Sequence, residues 1–318
     1  MKYVRNLLFI FPFFCWSQSN FELAEVYFQQ EKFDSAKPLF QGYLEEHPNS
    51  LKCKEYLGDI ASYSKDWETA IDYYKDLVFL DATSANYHFK FGGATSMKAL
   101  EGSKLRALLY VSDIKEAFET AARLDSEHIE TRWALVEFYI QLPGIIGGSE
   151  DKAMEYANEL GKLSLVDGYL AKGYIAEYTE RPLDAENFYK KAIDVGGSPH
   201  TYEKLSALYE NNERPQEAIE TSVRSLKLHK RNQLQYQIGK IAAQYNIYPQ
   251  LGLESLQEYI KNHSIKDGVP KDWAYLRMAQ IYKNLGRKED ALLWIDEALS
   301  NRPDFKEALE EKKRIKTL

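Results

Sequence analysis

The feature that most restricts how this chain can fold is a spacing that returns along nearly its whole length. Small residues at Ala24, Gly58, Gly173, Ser206 and Ala279 are each followed twelve positions later by an alanine, at Ala36, Ala70, Ala185, Ala218 and Ala291. Three residues after each small residue stands Tyr27, Ala61, Ala176, Tyr209 or Tyr282. Four residues after each anchor alanine comes Phe40, Tyr74, Tyr189 or Ile295, with Ser222 the exception. Pro48 and Pro303 stand twelve residues beyond their anchors, where a helix must stop. A fixed period of this kind marks a stack of repeats, each burying its apolar face against its neighbours. The small residues let two antiparallel helices approach closely, and the bulky ones fill the space toward the next pair.

This pattern resembles the tetratricopeptide repeat, a helix-turn-helix unit of about 34 residues. Its best matches are LAEVYFQQEKFDSAKPLFQGYLEEHP (Leu23 to Pro48) and MAQIYKNLGRKEDALLWIDEALSNRP (Met278 to Pro303). The resemblance implies an all-α, right-handed superhelical solenoid of about eight repeats over residues 18–303, with starts near 17, 51, 85, 129, 166, 199, 232 and 272. Insertions fall near 102–114 in the third repeat and 142–149 in the fourth, and Pro249 and Gly252 mark the seventh as degenerate. Residues 304–318 contain DFKEALEEKKRIK, an amphipathic segment suited to cap the last apolar face. A narrower resemblance, over about a third of the chain, is to eukaryotic regulators of microtubule dynamics. It rests on the long third repeat, the tryptophan-bearing helix after it and the following Pro and GGS turn.

The first residues, MKYVRNLLFIFPFFCWSQS, combine Lys2 and Arg5 with an apolar run from Leu7 to Phe14 and small residues around Cys15-Trp16-Ser17. They are expected to form a signal peptide over residues 1–17, directing the chain to the periplasm or outside the cell. A membrane-spanning helix needs roughly 20 apolar residues, about twice this run. A lipid anchor on Cys15 would require a small residue where Phe14 stands. Cleavage removes Lys2 and Arg5 and moves the net charge from −7 to −9. An acidic chain without a long basic stripe is a poor nucleic-acid binder. Cys53 is the one cysteine left, so no intrachain disulfide can form and stability must come from packing.

The stretch LPGIIGGSEDKA (Leu142 to Ala153) has the glycines of a phosphate loop without its setting. A helix is expected before it, Lys152 does not follow the last glycine, and Glu150 and Asp151 behind Ser149 would repel an anion. It is expected to be a lengthened inter-helix turn, with Ile145 and Ile146 at its tip as the alternative contact surface. The six histidines (47, 88, 128, 200, 229 and 263) are never three or four apart, so no helical metal pair arises. GxSxG, HExxH and GxGxxG are absent. Lys312, Lys313, Arg314 and Lys316 sit where cations complement the end of a helix. No enzyme class and no cofactor is indicated.

In tetratricopeptide repeats the first helix of each unit lines a concave groove. Carried over by position, the resemblance puts Tyr56, Asp59, Tyr63, Phe89, Trp133, Glu137, Tyr174, Glu177, Tyr178, Tyr236, Lys240, Trp273 and Arg277 on that surface. Tyr, Trp and Arg are enriched at binding hot spots, although several of these side chains could instead pack between helices. The lysine and asparagine clamp that some family members use on a C-terminal carboxylate is replaced here by Tyr, Asp and Glu. The expected function is a non-enzymatic protein- or peptide-binding scaffold of the bacterial cell envelope. The alternative is a self-associating structural component that uses the long loops of repeats three and four.

Overall fold

The computed structural model describes residues 20–317, apart from the side chain of Asn301, and every regular element among them is helical. The expected leader over residues 1–17 lies outside the described residues. Contacts divide the chain into two units, one ending at Leu135 and the other beginning at Val136.

The first unit contains α1 (Asn20–Gln29), α2 (Phe33–Glu46), α3 (Leu51–Tyr63), α4 (Trp67–Leu80), α5 (Ala85–Glu101), the short α6 (Lys104–Ala107) and α7 (Val111–Leu124). The unit boundary falls within α8 (Ile129–Gln141). The second unit continues with α9 (Glu150–Leu163), α10 (Leu165–Tyr178), α11 (Pro182–Gly196), α12 (Pro199–Asn211) and α13 (Pro215–His229). It ends with α14 (Asn232–Tyr245), α15 (Pro249–Lys261), α16 (Lys271–Asn284), α17 (Lys288–Asn301) and α18 (Lys306–Lys316). Helices adjacent in sequence pack as antiparallel hairpins, α1 with α2, α3 with α4, α5 with α7, and α10 through α17 in successive pairs. First helices begin at Asn20, Leu51, Ala85, Ile129, Leu165, Pro199, Asn232 and Lys271. The insertion in the third hairpin forms α6 and a turn, and α7 starts at Val111, before the expected end of the insertion at residue 114.

The small-residue spacing works as packing. All five anchor alanines are fully buried. The rings of Tyr74 and Tyr189 lie over Gly58 and Gly173, so closely that a β-carbon on either glycine would come within 2.6 and 2.3 Å of the ring. Where Ser222 breaks the bulky pattern, Ser206 takes the place of glycine. The two buried hydroxyls lie 3.1 Å apart, and Ser206 also donates to the Ala218 carbonyl at 3.0 Å. A hydrogen-bonded polar pair thus replaces ring-on-glycine contact, which keeps both buried groups satisfied.

The turns repeat at backbone level. Glu31, Lys65, Glu180, Glu213 and Gly286 all adopt positive φ, between 56° and 72°, each five residues before its anchor alanine. The following N–H then closes back onto the carbonyl of Tyr27, Ala61, Ala176, Tyr209 or Tyr282 at 2.8–2.9 Å. Side-chain caps from Ser50, Asp66, Ser84 and Ser164 and proline at the start of α11, α12, α13 and α15 set the helix beginnings. Between α7 and α8 the buried Arg132 guanidinium donates to the carbonyls of Ala122, Asp125 and His128 at 3.0, 2.7 and 3.1 Å. At the other end, α18 buries Ala308 and Ile315 beside Phe305 against α16 and α17. Its buried Glu311 accepts from Lys283 and Arg314. The segment expected over 304–318 is therefore a packed terminal helix spanning Lys306–Lys316.

Candidate functional site

Side chains on successive first helices reach each other across one repeat. In the first unit, Tyr56 of α3 donates its hydroxyl hydrogen bond to Glu25 of α1 at 2.9 Å, and Lys52 pairs with the same carboxylate at 2.5 Å. Lys90 of α5 donates to both oxygens of Asp59 of α3 at 2.7 and 2.8 Å and pairs with Glu55 at 2.7 Å. Tyr74 completes the Asp59 site from α4 at 2.7 Å. These are cross-braces, and they engage Tyr56 and Asp59 in the fold itself. Tyr56 also stacks on the buried Phe40 at 4.7 Å. Phe89 is half-buried against Phe118 and His128, with ring centroids 6.0 and 5.0 Å away. Trp133 is half-buried on α8. Tyr63 differs: it stays 67% exposed and stacks on Phe33 at 4.6 Å.

In the second unit the end of α8 and the face of α10 bring four of the expected residues together. Gln141 donates its side-chain amide to the Tyr174 hydroxyl at 2.8 Å, and Tyr178 donates to the Gln141 carbonyl at 3.3 Å. The two tyrosine rings lie 6.3 Å apart, and Tyr178 is 50% exposed. Glu177 between them accepts from Tyr189 of α11 at 2.9 Å and from Asn211 of α12 at 3.1 Å. Glu137 keeps an exposed surface but stands in crowded surroundings. Desolvation pushes its carboxyl above the ordinary glutamate value, opposed by the field of Lys204. Desolvation likewise raises the Tyr174 phenol, with the Gln141 hydrogen bond working against it. The result is a half-buried tyrosine pair flanked by Glu137 and Glu177, a surface suited to a ligand that carries both apolar and cationic groups.

The other expected residues form separate contacts. Lys240 and Gln237 of α14 reach Glu210 of α12 at 3.1 and 2.8 Å. Tyr236 packs on Tyr259 at 5.4 Å. Trp273 meets Phe305 edge-on at 4.8 Å, where it supports the terminal helix. The Arg277 guanidinium lies 5.6 Å from the Trp273 ring and donates to Gln280 at 2.9 Å, while its buried Nε has no hydrogen-bond partner. Sequence reasoning missed Gln141, Asn211 and Glu210. Their signal is a polar residue placed about one repeat from a groove position, which becomes visible only when consecutive first helices are aligned together.

The LPGIIGGS stretch closes on itself. A short 3-10 turn at Gly144–Ile146 leads into Gly147 at φ 108°, and α9 starts behind Ser149, whose hydroxyl accepts from the Lys152 N–H at 3.3 Å. The N–H groups of Ile146, Gly147, Gly148 and Ser149 bond the carbonyls of Pro143, Gly144, Pro143 and Tyr139 at 2.9–3.2 Å. Gly148 passes so near the Leu142 carbonyl that a β-carbon would lie 1.7 Å from its oxygen. With these donors spent internally and Glu150 and Asp151 opening α9, the turn offers an anion no cradle. Ile145 projects from its tip, 94% exposed. Among the described residues no cluster of His, Cys, Asp and Glu is arranged to hold a metal ion.

A tetratricopeptide-repeat family model matches residues 21–86, and a second matches residues 274–305. Among solved structures, a tetratricopeptide repeat protein from Parabacteroides merdae is 13% identical and aligns over 93% of this chain and 97% of its own, with a TM-score of 0.53. It shares the all-helical repeat fold. YrrB, described as a TPR protein with an unusual peptide-binding site, is 19% identical over 62% of this chain and 98% of its own, with a TM-score of 0.44. MamA is 21% identical over 55% of this chain and 88% of its own, with a TM-score of 0.45. No curated protein matches the sequence.

Proposed function

We propose that the chain is a non-catalytic binding scaffold that holds a protein or peptide segment on the faces of its first helices and works in the cell envelope after export. Proteins built of tetratricopeptide repeats generally mediate protein or peptide binding, which supports the class of function. The observation that carries the reading is the Tyr174–Tyr178 pair. Its rings are held by Gln141, one is half-exposed, and Glu137 and Glu177 lie beside them. Tyrosine supplies contact area at low entropic cost, and the carboxylates select for lysine or arginine in the ligand. Tyr63 and Trp133 in the first unit provide further aromatic surface of the same kind. Export rests on the charged and apolar pattern of residues 1–17.

A displayed random-peptide library panned on the protein tests this reading. Enriched peptides are expected to combine an aromatic or aliphatic residue with lysine or arginine. Tyr174→Ala with Tyr178→Ala should weaken the best peptide at least ~30-fold by calorimetry, the scale of a lost hot spot. Ile145→Ser with Ile146→Ser should leave it within ~2-fold. Binding lost with the isoleucines and kept without the tyrosines would move the site to the 142–149 turn. For export, N-terminal analysis of protein recovered from the envelope should give Gln18, and a retained Met1 would refute processing.

A further inference from the structure

The longest run of exposed apolar side chains in the first unit lies where the third hairpin is interrupted, between α5 and α7. Leu100, Leu105 and Leu109 are 75%, 79% and 77% exposed, and Met97 and Leu108 are exposed beside them in sequence. Soluble chains leave single leucines in water routinely, but a concentration like this within so short a stretch marks an interaction surface. From this arrangement we propose that residues 97–110 dock the first unit onto the surface of an anionic lipid bilayer.

The local geometry is that of a short interfacial helix. After α5 ends at Glu101, Ser103 caps α6, and helical turns continue past it through Ala107 N–H to the Ser103 carbonyl, Leu109 N–H to Arg106 and Tyr110 N–H to Ala107, at 3.0–3.1 Å. At roughly 100° per residue, Leu105, Leu108 and Leu109 fall within an arc of about 100°. Lys104 stands about 40° beyond one edge of that arc and Arg106 about 60° beyond the other. Cations that flank an apolar arc can bury their stems and keep their charges at the headgroups while the leucines enter the acyl boundary.

Charge settles which surface fits. The chain as a whole carries −7, yet residues 97–110 hold Lys98, Lys104 and Arg106 against Glu101 alone. Glu101 lies 3.6 Å from Lys98, which also pairs with Glu68 at 2.9 Å. Among the described residues Lys104 and Arg106 have no carboxylate partner. An anionic bilayer attracts this segment and repels the rest of the acidic surface, so it also orients the molecule. A second copy fits less well, because a two-fold interface through this patch would set Lys104 and Arg106 against their own copies.

Flotation of the full chain with vesicles of phosphatidylcholine, alone or mixed equally with phosphatidylglycerol, tests the proposal. The apolar run Leu7–Phe14 can itself touch lipid, so the decisive readout is local: a polarity-sensitive fluorophore on Leu105→Cys in a Cys15→Ser background, Cys53 being buried. Its emission should shift to the blue with the anionic vesicles and not with the neutral ones, and salt should reverse the shift. Flotation with the anionic vesicles should fall ~10-fold for Leu105→Ser with Leu109→Ser, and similarly for Lys104→Glu with Arg106→Glu. Absence of the blue shift with the anionic vesicles, or a blue shift left unchanged when Lys104→Glu and Arg106→Glu are added, would overturn the proposal. So would light scattering that finds the parent dimeric and the serine variant monomeric with vesicle binding unchanged, which would assign the patch to self-association.

Discussion

The Tyr189 ring lies over Gly173, and the same tyrosine donates its hydroxyl hydrogen bond to Glu177 at 2.9 Å, so one side chain both fills the space between α10 and α11 and positions a carboxylate on the candidate binding face. A methyl group at residue 173 would meet the ring at 2.3 Å, and the hydroxyl bond stops the ring from swinging aside. Gly173→Ala should therefore destabilise the protein by about 1–3 kcal/mol despite alanine's better helix propensity. Gly42→Ala is the control. Nothing lies within 4 Å of a β-carbon there, so the same change in α2 should stabilise by about 0.5–1 kcal/mol. Urea unfolding of the two variants measures both; a destabilised Gly42→Ala alongside an unaffected Gly173→Ala would contradict the packing account.

The repeated turns hold side-chain-bearing residues in a conformation that favours glycine. Glu180 sits at φ 58°, the register position occupied by Gly286 in the last hairpin. Because an L-residue there is strained by about 1 kcal/mol, Glu180→Gly should hold or raise stability, by up to about 1 kcal/mol after the extra chain entropy of glycine is set against the relief. Glu180→Val should lower it by more than 1 kcal/mol, since a β-branched residue tolerates that region least. Denaturant midpoints for the pair give the sign directly.

Acid should weaken the second unit at an identifiable place. Burial of Glu186 acts to raise its pKa, but hydrogen bonds from Arg214 at 2.6 Å, Lys190 at 2.6 Å and Tyr209 at 2.9 Å outweigh it and hold the carboxyl at about 2. The folded value lies below the ordinary 4.5, so the contribution is complete above that pH and disappears as pH falls toward 2. It is worth at most about 3 kcal/mol. Glu186→Gln should lose about 2–3 kcal/mol at pH 7, with a deficit that narrows below pH 4 as the parent weakens. A deficit that stays constant down to pH 2.5 would assign the loss to packing instead.

The hairpins were legible in the sequence because their determinant is a spacing of small residues, and Ala36, Ala70, Ala185, Ala218 and Ala291 are buried as that spacing requires. Ser222 looked like a gap in the pattern, and only its partner Ser206 explains it. The positive-φ turn positions are legible only through Gly286, which shares its register with Glu31, Lys65, Glu180 and Glu213. The candidate site was less legible. Position within a repeat places a residue on the first-helix face but does not say whether it is already engaged. Tyr56 has Glu25 and Phe40, while Tyr178 remains half-exposed, and both came from the same positional rule. Side-chain engagement depends on the residue one repeat away, whose identity the repeat pattern does not constrain.

The braces between first helices bear on how the chain reaches its fold. Tyr56 to Glu25, Lys90 to Asp59, Gln141 to Tyr174, Asn211 to Glu177 and Lys240 to Glu210 each join residues 30 to 34 positions apart. Closing loops of that length costs less entropy than pairing the ends of a domain and needs no later part of the chain, so each hairpin can be secured as soon as the next first helix exists. A chain delivered N-terminus first, from a ribosome or through a pore, can then order itself in step with its own emergence.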